Sequence, residues 1–160
     1  MFRPSFPLHF VFILSYKCNL ACTHCSSNAD SHGSLGYSTA EAKGVLRQMA
    51  EIGVVDVAFS GGEPLLRRSI VELVAGIAAL RPRPAIAMTT NGAALAAVAA
   101  PLAAAGLDRV NVSLDTIDAS QFLALTRRDR LADVIAGLAA AAGAGLTPVK
   151  VNAVAMRGVN

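Results

Sequence analysis

The chain has 160 residues and a net charge of +3, and 54% of its residues are hydrophobic while 16% are charged. This length suffices for one hydrophobic core and predicts a single domain, and the apolar content excludes a disordered chain. No apolar run approaches the ~20 residues that a membrane-spanning helix requires. The basic residues form no stripe and do not interleave with aromatic ones, so we expect no nucleic-acid partner and no membrane partner.

Short β-branched runs alternate with helical patterns along the chain, which predicts βαβ units around a parallel sheet. The expected strands are Phe10–Leu14, Val54–Phe59, Ala85–Thr90, Arg109–Leu114 and Val149–Ala155. The expected helices run from a capping box at Ser38–Glu41 to about Ile52, over the apolar set Ile70, Leu73, Val74 and Ile77, over Ala93–Ala105 before Gly106, and from about Leu131 to Ala142. This pattern predicts about five β/α units, fewer than the eight of a closed barrel.

Three cysteines, Cys18, Cys22 and Cys25, directly follow the first predicted strand. Three thiolates on one short loop can bind one inorganic cluster, and they leave one iron of a [4Fe–4S] cube open for another ligand. A structural zinc site usually has four ligands, and the nearest candidate, His24, lies between two of the cysteines, where its ring would hardly reach the same metal. A disulfide would leave one thiol over, and nothing indicates an oxidising compartment, so we expect a cytoplasmic protein with reduced thiols.

Polar motifs follow the second and third predicted strands. In parallel α/β folds the chemistry gathers at the carboxyl ends of the strands. The segment Ser60–Pro64 reads Ser-Gly-Gly-Glu-Pro, and its two glycines allow the backbone to approach a ligand closely. We expect Pro64 in the first turn of the next helix. The segment Thr89–Gly92 reads Thr-Thr-Asn-Gly, and its Asn-Gly pair is also a common turn.

The last two predicted strands carry polar side chains on one face. In the fourth strand Asn111, Ser113 and Asp115 alternate with apolar residues, and in the fifth Lys150 and Asn152 share a face. We expect helices to cover the apolar face and the polar row to point into the mouth of a barrel. A lysine there requires an anionic partner, which could be a substrate phosphate or carboxylate or Asp115, unless the side chain extends into solvent.

The spacing of the cysteines, three residues and then two, resembles that of the radical S-adenosylmethionine (SAM) enzymes. The resemblance implies an α/β fold with a partial (β/α) barrel, a [4Fe–4S] cluster on the cysteines, and SAM on the open iron as the source of a 5′-deoxyadenosyl radical. It also implies that residues 1–160 form an incomplete core domain that lacks the last β/α unit and a C-terminal domain. The alternative is a short protein that covers the edge of its last strand by dimerising.

The same resemblance assigns cofactor contacts to residues outside the cysteines. These residues are His24, Gly61, Gly62, Glu63, Asn91 and Ser113. Among them, Glu63 is expected near the ammonium group of SAM. A reductant protein is expected as a partner that supplies electrons.

From Ser60 to Asn160 the chain is similar to the GTP 3′,8-cyclase family of molybdenum-cofactor biosynthesis. The shared motifs are Gly-Gly-Glu-Pro-Leu-Leu-Arg, Thr-Thr-Asn-Gly, Ala-Gly-Leu-Asp-Arg-Val-Asn-Val-Ser-Leu-Asp and Val-Lys-Val-Asn-Ala-Val. This similarity implies a lyase that cyclises GTP, with Thr89 and Lys150 facing the substrate. In that family arginines that contact the nucleotide stand where this chain has Val11 and Ala58.

These two departures leave alternatives open. The first is a radical SAM enzyme that modifies a peptide or another substrate. The second is a non-catalytic fragment that keeps part of the fold. A plain isomerase or aldolase barrel would give the three cysteines no role.

Overall fold

The computed structural model describes residues 8–34 and 36–160, so residues 1–7 and Leu35 of the predicted domain lie outside the described residues. The described part contains a five-stranded parallel sheet in the order β1-β2-β3-β4-β5. The strands are β1 (Leu8–Ile13), β2 (Val54–Ser60), β3 (Ala85–Thr90), β4 (Arg109–Ser113) and β5 (Lys150–Asn152).

Helices connect successive strands. They are α1 (Thr39–Glu51), α2 (Ile70–Ala78), α3 (Leu95–Ala104), α4 (Ala119–Thr126) and α5 (Leu131–Gly143), with a short 3-10 turn at Pro64–Leu66. Each strand pairs with the next along the chain, so the sheet winds in one direction, as in a barrel, and does not reverse as a doubly wound sheet does. Right-handed connections then bring the helices to one face of the sheet. The predicted α/β fold with a partial barrel is confirmed.

The helix-facing side of the sheet is the hydrophobic core. The register aligns Phe12 with Phe59, Phe59 with Met88 and Met88 with Val110. Each of these side chains is at most 4% exposed. The alternation of side chains along each strand therefore sends the intervening residues to the opposite, inner face.

The inner face carries the polar row that the sequence predicts. Thr89 pairs with Asn111, and Asn111 pairs with Lys150. The amide of Asn111 donates a hydrogen bond to the hydroxyl of Thr89 over 3.4 Å. Ser113 pairs with Asn152 one step further toward the carboxyl ends of the strands. The two polar rows of β4 and β5 thus lie side by side.

The capping box before α1 is present, because Ser38 Oγ accepts from the amide of Glu41 and Glu41 Oε2 accepts from the amide of Ser38. Gly106 directly follows the C-cap of α3 with φ +100°, a backbone conformation that favours glycine. The helix expected from Leu131 to Ala142 is α5 and ends one residue later.

Three features differ from the predicted elements. Pro64 begins the 3-10 turn and not α2, which starts only at Ile70. Strand β5 was predicted as Val149–Ala155 but covers only Lys150–Asn152, the three residues that pair with β4. Helix α4 was not predicted, although Asp118 caps it by accepting from the amide of Gln121 over 2.8 Å.

None of the helices in the described part of the chain is long and apolar enough to cross a membrane.

We predict that Leu73→Ala destabilises the chain by about 2–5 kcal/mol, because it opens a cavity in a fully packed site. Leu73 lies in α2 and is 0% exposed, whereas Leu123 in α4 is 47% exposed. Leu123→Ala is the matched control and should change stability by less than about 0.5 kcal/mol. Urea unfolding followed by circular dichroism measures both. Equal losses in the two variants would contradict the assignment of the core to the helix-facing side of the sheet.

Candidate cofactor-binding site

A cavity of about 480 Å³ opens at the carboxyl ends of the strands, and all three cysteines line it. Other predicted site residues in its wall are His24, Gly61, Gly62, Thr89, Asn91 and Ser113. This volume lies in the range of small-molecule and cofactor sites. The structure therefore brings together, in one cavity, motifs from four different strand ends.

The cysteine loop is bound to the rest of the domain by its backbone. The amide of Cys18 donates to the carbonyl of Asp30 over 2.7 Å. The amides of Ala21 and Thr23 donate to the carbonyls of Thr126 and Leu125, respectively, over 3.0 and 2.9 Å. These two carbonyls belong to the last turn of α4, where carbonyls have no partner within the helix. The unpredicted helix thus supports the cysteine loop.

The Gly-Gly turn after β2 packs directly on the backbone that enters the cysteine loop. The amide of Gly62 donates to the carbonyl of Ser15 over 2.7 Å, and the amide of Glu63 donates to the carbonyl of Lys17 over 2.9 Å. A Cβ atom at Gly61 or Gly62 would come within 3.0 Å of these same carbonyl oxygens. The two glycines therefore line the cavity, and they also allow one backbone to lie against another.

Nitrogen donors surround two of the thiols. The amide of Leu20 donates to Cys18 Sγ, and the amide of Ala29 donates to Cys25 Sγ, each over 3.4 Å. The side-chain amide of Asn91 lies 3.6 Å from Cys18 Sγ. Such donors stabilise negative charge on sulfur, which is the charge state in which a cysteine binds a metal.

Two of the three thiols, those of Cys18 and Cys22, resist ionisation in their surroundings. Burial raises the pKa of the Cys18 thiol above its ordinary value. Burial and the nearby charges of Cys18, Cys25 and Asp115 raise the pKa of Cys22 to about 11. Metal binding to thiols requires their deprotonation, and a cationic group bound among them reverses this electrostatic penalty.

Glu63 is buried and does not form part of the cavity wall. One carboxylate oxygen accepts from the amide of Leu65 and the hydroxyl of Thr90 over 2.9 and 2.7 Å, and the other accepts from the amide of Asn91 over 2.8 Å. Burial raises the pKa of Glu63, and these three hydrogen bonds oppose that shift. The carboxylate thus joins the 3-10 turn after β2 to the end of β3.

His24 lies in the wall between two of the cysteines. Its Nε2 is 2.9 Å from Oδ2 of Asp115, and its Nδ1 is buried without a hydrogen-bond partner among the described residues. The other carboxylate oxygen of Asp115 accepts from the amide of Val154 over 2.9 Å. Asp115 therefore joins the cysteine loop to the segment after β5.

Lys150 is exposed on the inner face and is not in the cavity wall. None of the ion pairs in the described part of the chain includes it. Val11 and Ala58 pair in the register of β1 and β2, and Val11 is 59% exposed. The inner face is thus polar at Thr89 of β3 and along β4 and β5, and it is apolar at these positions of β1 and β2.

A larger cavity of about 920 Å³ lies beside the loop before α1 and the start of α2, and Lys17, Arg67 and Arg68 contribute to it. It contains none of the three cysteines. We place the candidate site in the smaller cavity, because only there do thiols, strand ends and polar side chains meet.

The donor set, three free thiols in the wall of one cavity, suits a [4Fe–4S] cluster. Within residues 8–34 and 36–160, no three His, Cys, Asp or Glu side chains lie close enough to bind one ion. Cluster ligands bind different irons, so their sulfur atoms stand further apart than the ligands of one zinc. The three cysteines are free thiols. In the same cavity wall, the buried Nδ1 of His24 has no hydrogen-bond partner among the described residues and is available to an atom of a ligand.

Sequence reasoning missed three parts of the site. These are Asn19, whose side chain accepts from Asn91 over 2.7 Å, Asp115 as the partner of His24, and the end of α4. The cap at Asp118 could have indicated α4. The other two depend on contacts between residues far apart in the chain, which no local pattern encodes.

We predict that Gly62→Ala destabilises the chain by about 1–3 kcal/mol or more and lowers iron uptake, because the new methyl group meets the carbonyl of Lys17. Gly44 lies inside α1, and a Cβ there would meet nothing within 4 Å. Gly44→Ala is the control and should stabilise the chain by up to about 1 kcal/mol. Thermal unfolding and iron content measure both effects. Normal iron uptake by a stable Gly62→Ala protein would refute the role of this close approach.

Residues 12–160 match the Radical SAM superfamily. GTP 3′,8-cyclase of Mycobacterium marinum is 54% identical over 145 residues, which are 88% of this chain and 40% of that protein. GTP 3′,8-cyclase 2 of Mycobacterium tuberculosis is 53% identical over 145 residues, with 88% of this chain and 40% of that protein covered. The chain thus spans about two fifths of the length of the curated relatives it matches.

Solved structures share the fold. The crystal structure of Streptococcus suis SuiB bound to S-adenosylmethionine is 25% identical with a TM-score of 0.79, over 96% of this chain and 35% of that chain. The structure of anSMEcpe with bound AdoMet and a peptide has a TM-score of 0.68 at 19% identity, over 92% of this chain and 42% of that chain. The family match, the parallel sheet and the cysteine cavity lead to one conclusion. The chain belongs to the radical SAM superfamily.

Proposed function

We propose that this chain is the catalytic core of a radical SAM enzyme. Cys18, Cys22 and Cys25 would hold a [4Fe–4S] cluster, and SAM would bind the iron that the protein leaves open. The observation that carries this proposal is the convergence of the three thiols on one cavity at the carboxyl ends of the strands. When bound, the cluster and SAM together supply one electron and a radical that removes a hydrogen atom from the substrate.

The protein's own residues would orient and shield these groups. Gly61 and Gly62 present backbone in the cavity wall, and Ser113 presents a hydroxyl there. His24 and Asn91 carry side-chain nitrogen atoms and lie in the same cavity wall as the cysteines. Apolar side chains of Leu114, Phe122 and Leu125 line the same cavity and are mostly buried, which supports exclusion of water from the reacting groups.

For the substrate we propose GTP or a closely related nucleotide. The similarity to two mycobacterial GTP 3′,8-cyclases supports this choice, and so does the polar inner face. Thr89 is in the cavity wall, and Lys150 lies two strands away, on the far side of Asn111, where its ammonium group could reach a phosphate. The reaction would be a cyclisation of the lyase type, with electrons from a reductant protein.

A peptide substrate is the second candidate. The apolar pair of Val11 and Ala58 on the inner face favours it, because neither side chain can neutralise a phosphate. A crystal structure of SuiB contains its precursor peptide, and that enzyme has a TM-score of 0.80 with this chain. An extended peptide could lie along an apolar face that a triphosphate would not bind.

We predict that Cys22→Ala abolishes both cluster incorporation and SAM cleavage, since two thiols cannot hold the cluster. Thr23→Ala is the neighbouring control, because the Thr23 side chain is exposed and only its backbone amide binds Leu125. Iron content and 5′-deoxyadenosine formation with dithionite measure the two variants. Undiminished SAM cleavage by Cys22→Ala protein would refute the proposed function.

We predict that Lys150→Ala raises the GTP concentration needed for half-maximal stimulation of 5′-deoxyadenosine formation about tenfold, about 1.4 kcal/mol of binding free energy. SAM cleavage without GTP should persist, because Lys150 is outside the cavity wall. Lys43→Ala on α1 is the charge-matched control. If GTP stimulates the wild type and Lys150→Ala equally, Lys150 does not bind the nucleotide. If GTP stimulates neither, the substrate is to be sought among peptides.

A further inference from the structure

The side chain of Asn91 is held in one orientation beside the cysteine loop. Its Oδ1 accepts from the amide of Ala93 over 3.0 Å, and its Nδ2 donates to Oδ1 of Asn19 over 2.7 Å. Rotating the amide by 180° would set two donors against each other at Ala93 and two acceptors against each other at Asn19. The hydrogen-bond network therefore fixes Nδ2 on the side of Cys18, whose Sγ is 3.6 Å away.

The backbone under Asn91 is fixed as well. Its amide donates to Oε2 of the buried Glu63 over 2.8 Å, and Oε1 of the same carboxylate accepts from the hydroxyl of Thr90. That hydroxyl oxygen in turn accepts from the amide of Gly92 over 3.0 Å. A fully connected buried network of this kind rigidifies its members. Asn91 thus presents a preorganised donor at the thiol.

Asn91 differs from the other donors at the cysteines. The amides of Leu20 and Ala29 also reach cysteine sulfur atoms, but they belong to the backbone of the cysteine loop and its continuation. Asn91 follows the end of β3. In the described part of the chain, no other side chain donates a hydrogen bond to a cysteine sulfur. The hydrogen bond therefore couples the sheet to a ligand of the site and can be removed by substitution.

We propose that Asn91 Nδ2–H donates a hydrogen bond to the thiolate of Cys18 and thereby raises the reduction potential of the cluster. Reduction increases the negative charge on the cluster sulfurs, so a donor at sulfur stabilises the reduced state more than the oxidised state. Ligand partners of this kind tune metal sites generally. The inference rests on the proposed function, and it gives Asn91 a tuning contact with the cluster ligand in place of the contact with SAM that the resemblance implies.

The test compares the wild type with Asn91→Leu and Asn91→Asp. Leucine is close in shape and removes the donor, while aspartate keeps an acceptor for the amide of Ala93 and places a negative charge near the sulfur. The reduction potential of the reconstituted cluster is measured by a redox titration followed by electron paramagnetic resonance, without SAM. We expect the potential to fall in Asn91→Leu and to fall further in Asn91→Asp.

Asn152→Leu is the matched control, because Asn152 lines the same cavity from β5 but, among the described residues, donates to no cysteine sulfur. Its potential should equal that of the wild type. An unchanged potential in Asn91→Leu, at a cluster content equal to that of the wild type, would overturn the inference and leave the proposed function intact. A wild-type protein that binds no cluster contradicts the proposed function, and the inference with it.

A second measurement applies if the Asn91 variants fail to hold a cluster. Protein with the Asn19→Asp substitution, which keeps the acceptor for Asn91 and carries no side-chain nitrogen, is labelled with ¹⁵N in its asparagine side chains, so that Asn91 is the labelled side chain near Cys18 among the described residues. Pulsed electron paramagnetic resonance of the reduced cluster then detects nitrogen coupled through the hydrogen bond. A ¹⁵N coupling supports the inference, and its absence overturns it.

Discussion

The site depends on the close packing of backbone around residues 14–17, the segment that carries the chain from β1 into the cysteine loop. A Cβ atom at any of four glycines would come within 3.0 Å of this backbone, and these are Gly33, Gly36, Gly61 and Gly62. The four glycine positions have no room for a side chain, and the neighbouring backbone lies close enough to bind residues 14–17 through hydrogen bonds from backbone to backbone. The pairing of β1 with β2 thus continues past the sheet as far as Lys17, and Cys18 follows immediately. The position of the first thiol relative to the sheet is therefore set by strand pairing.

One face of the sheet forms the hydrophobic core, and the other face carries the polar groups near the candidate site. The helix-facing side buries large apolar residues such as Phe59 and Met88, and the inner side presents polar groups such as Thr89 and Asn111. Because side chains alternate along each strand, a rigid core on one face also fixes the directions of the side chains on the other. Glu63 fixes the turn after β2 relative to the end of β3 through buried hydrogen bonds. A cavity built in this way can keep polar groups oriented toward a cofactor without relying on loop flexibility.

Much of this arrangement could be predicted from the sequence, because its main elements are local. Short β-branched runs indicated four of the five strands to within two residues of each end, and the Ser38 capping box located α1. The cysteine spacing and the Gly-Gly turn indicated which loops line the cavity. The contacts between distant residues could not be predicted in this way. The burial of Glu63, the Asp115 partner of His24 and the hydrogen bond from Asn91 to Cys18 depend on how separate strand ends meet in space. Helix α4 was missed because it is only 8 residues long, even though its capping residue was visible.

The central claim is that three thiols of this chain hold a [4Fe–4S] cluster with one iron open to SAM. The most direct measurement is the electron paramagnetic resonance spectrum of the anaerobically reconstituted and reduced protein, recorded before and after addition of SAM. The account predicts iron and sulfide in the ratio of a [4Fe–4S] cluster and a spectrum that changes when SAM binds. A colourless protein that carries one zinc per chain, or a cluster whose spectrum is indifferent to SAM, would contradict it.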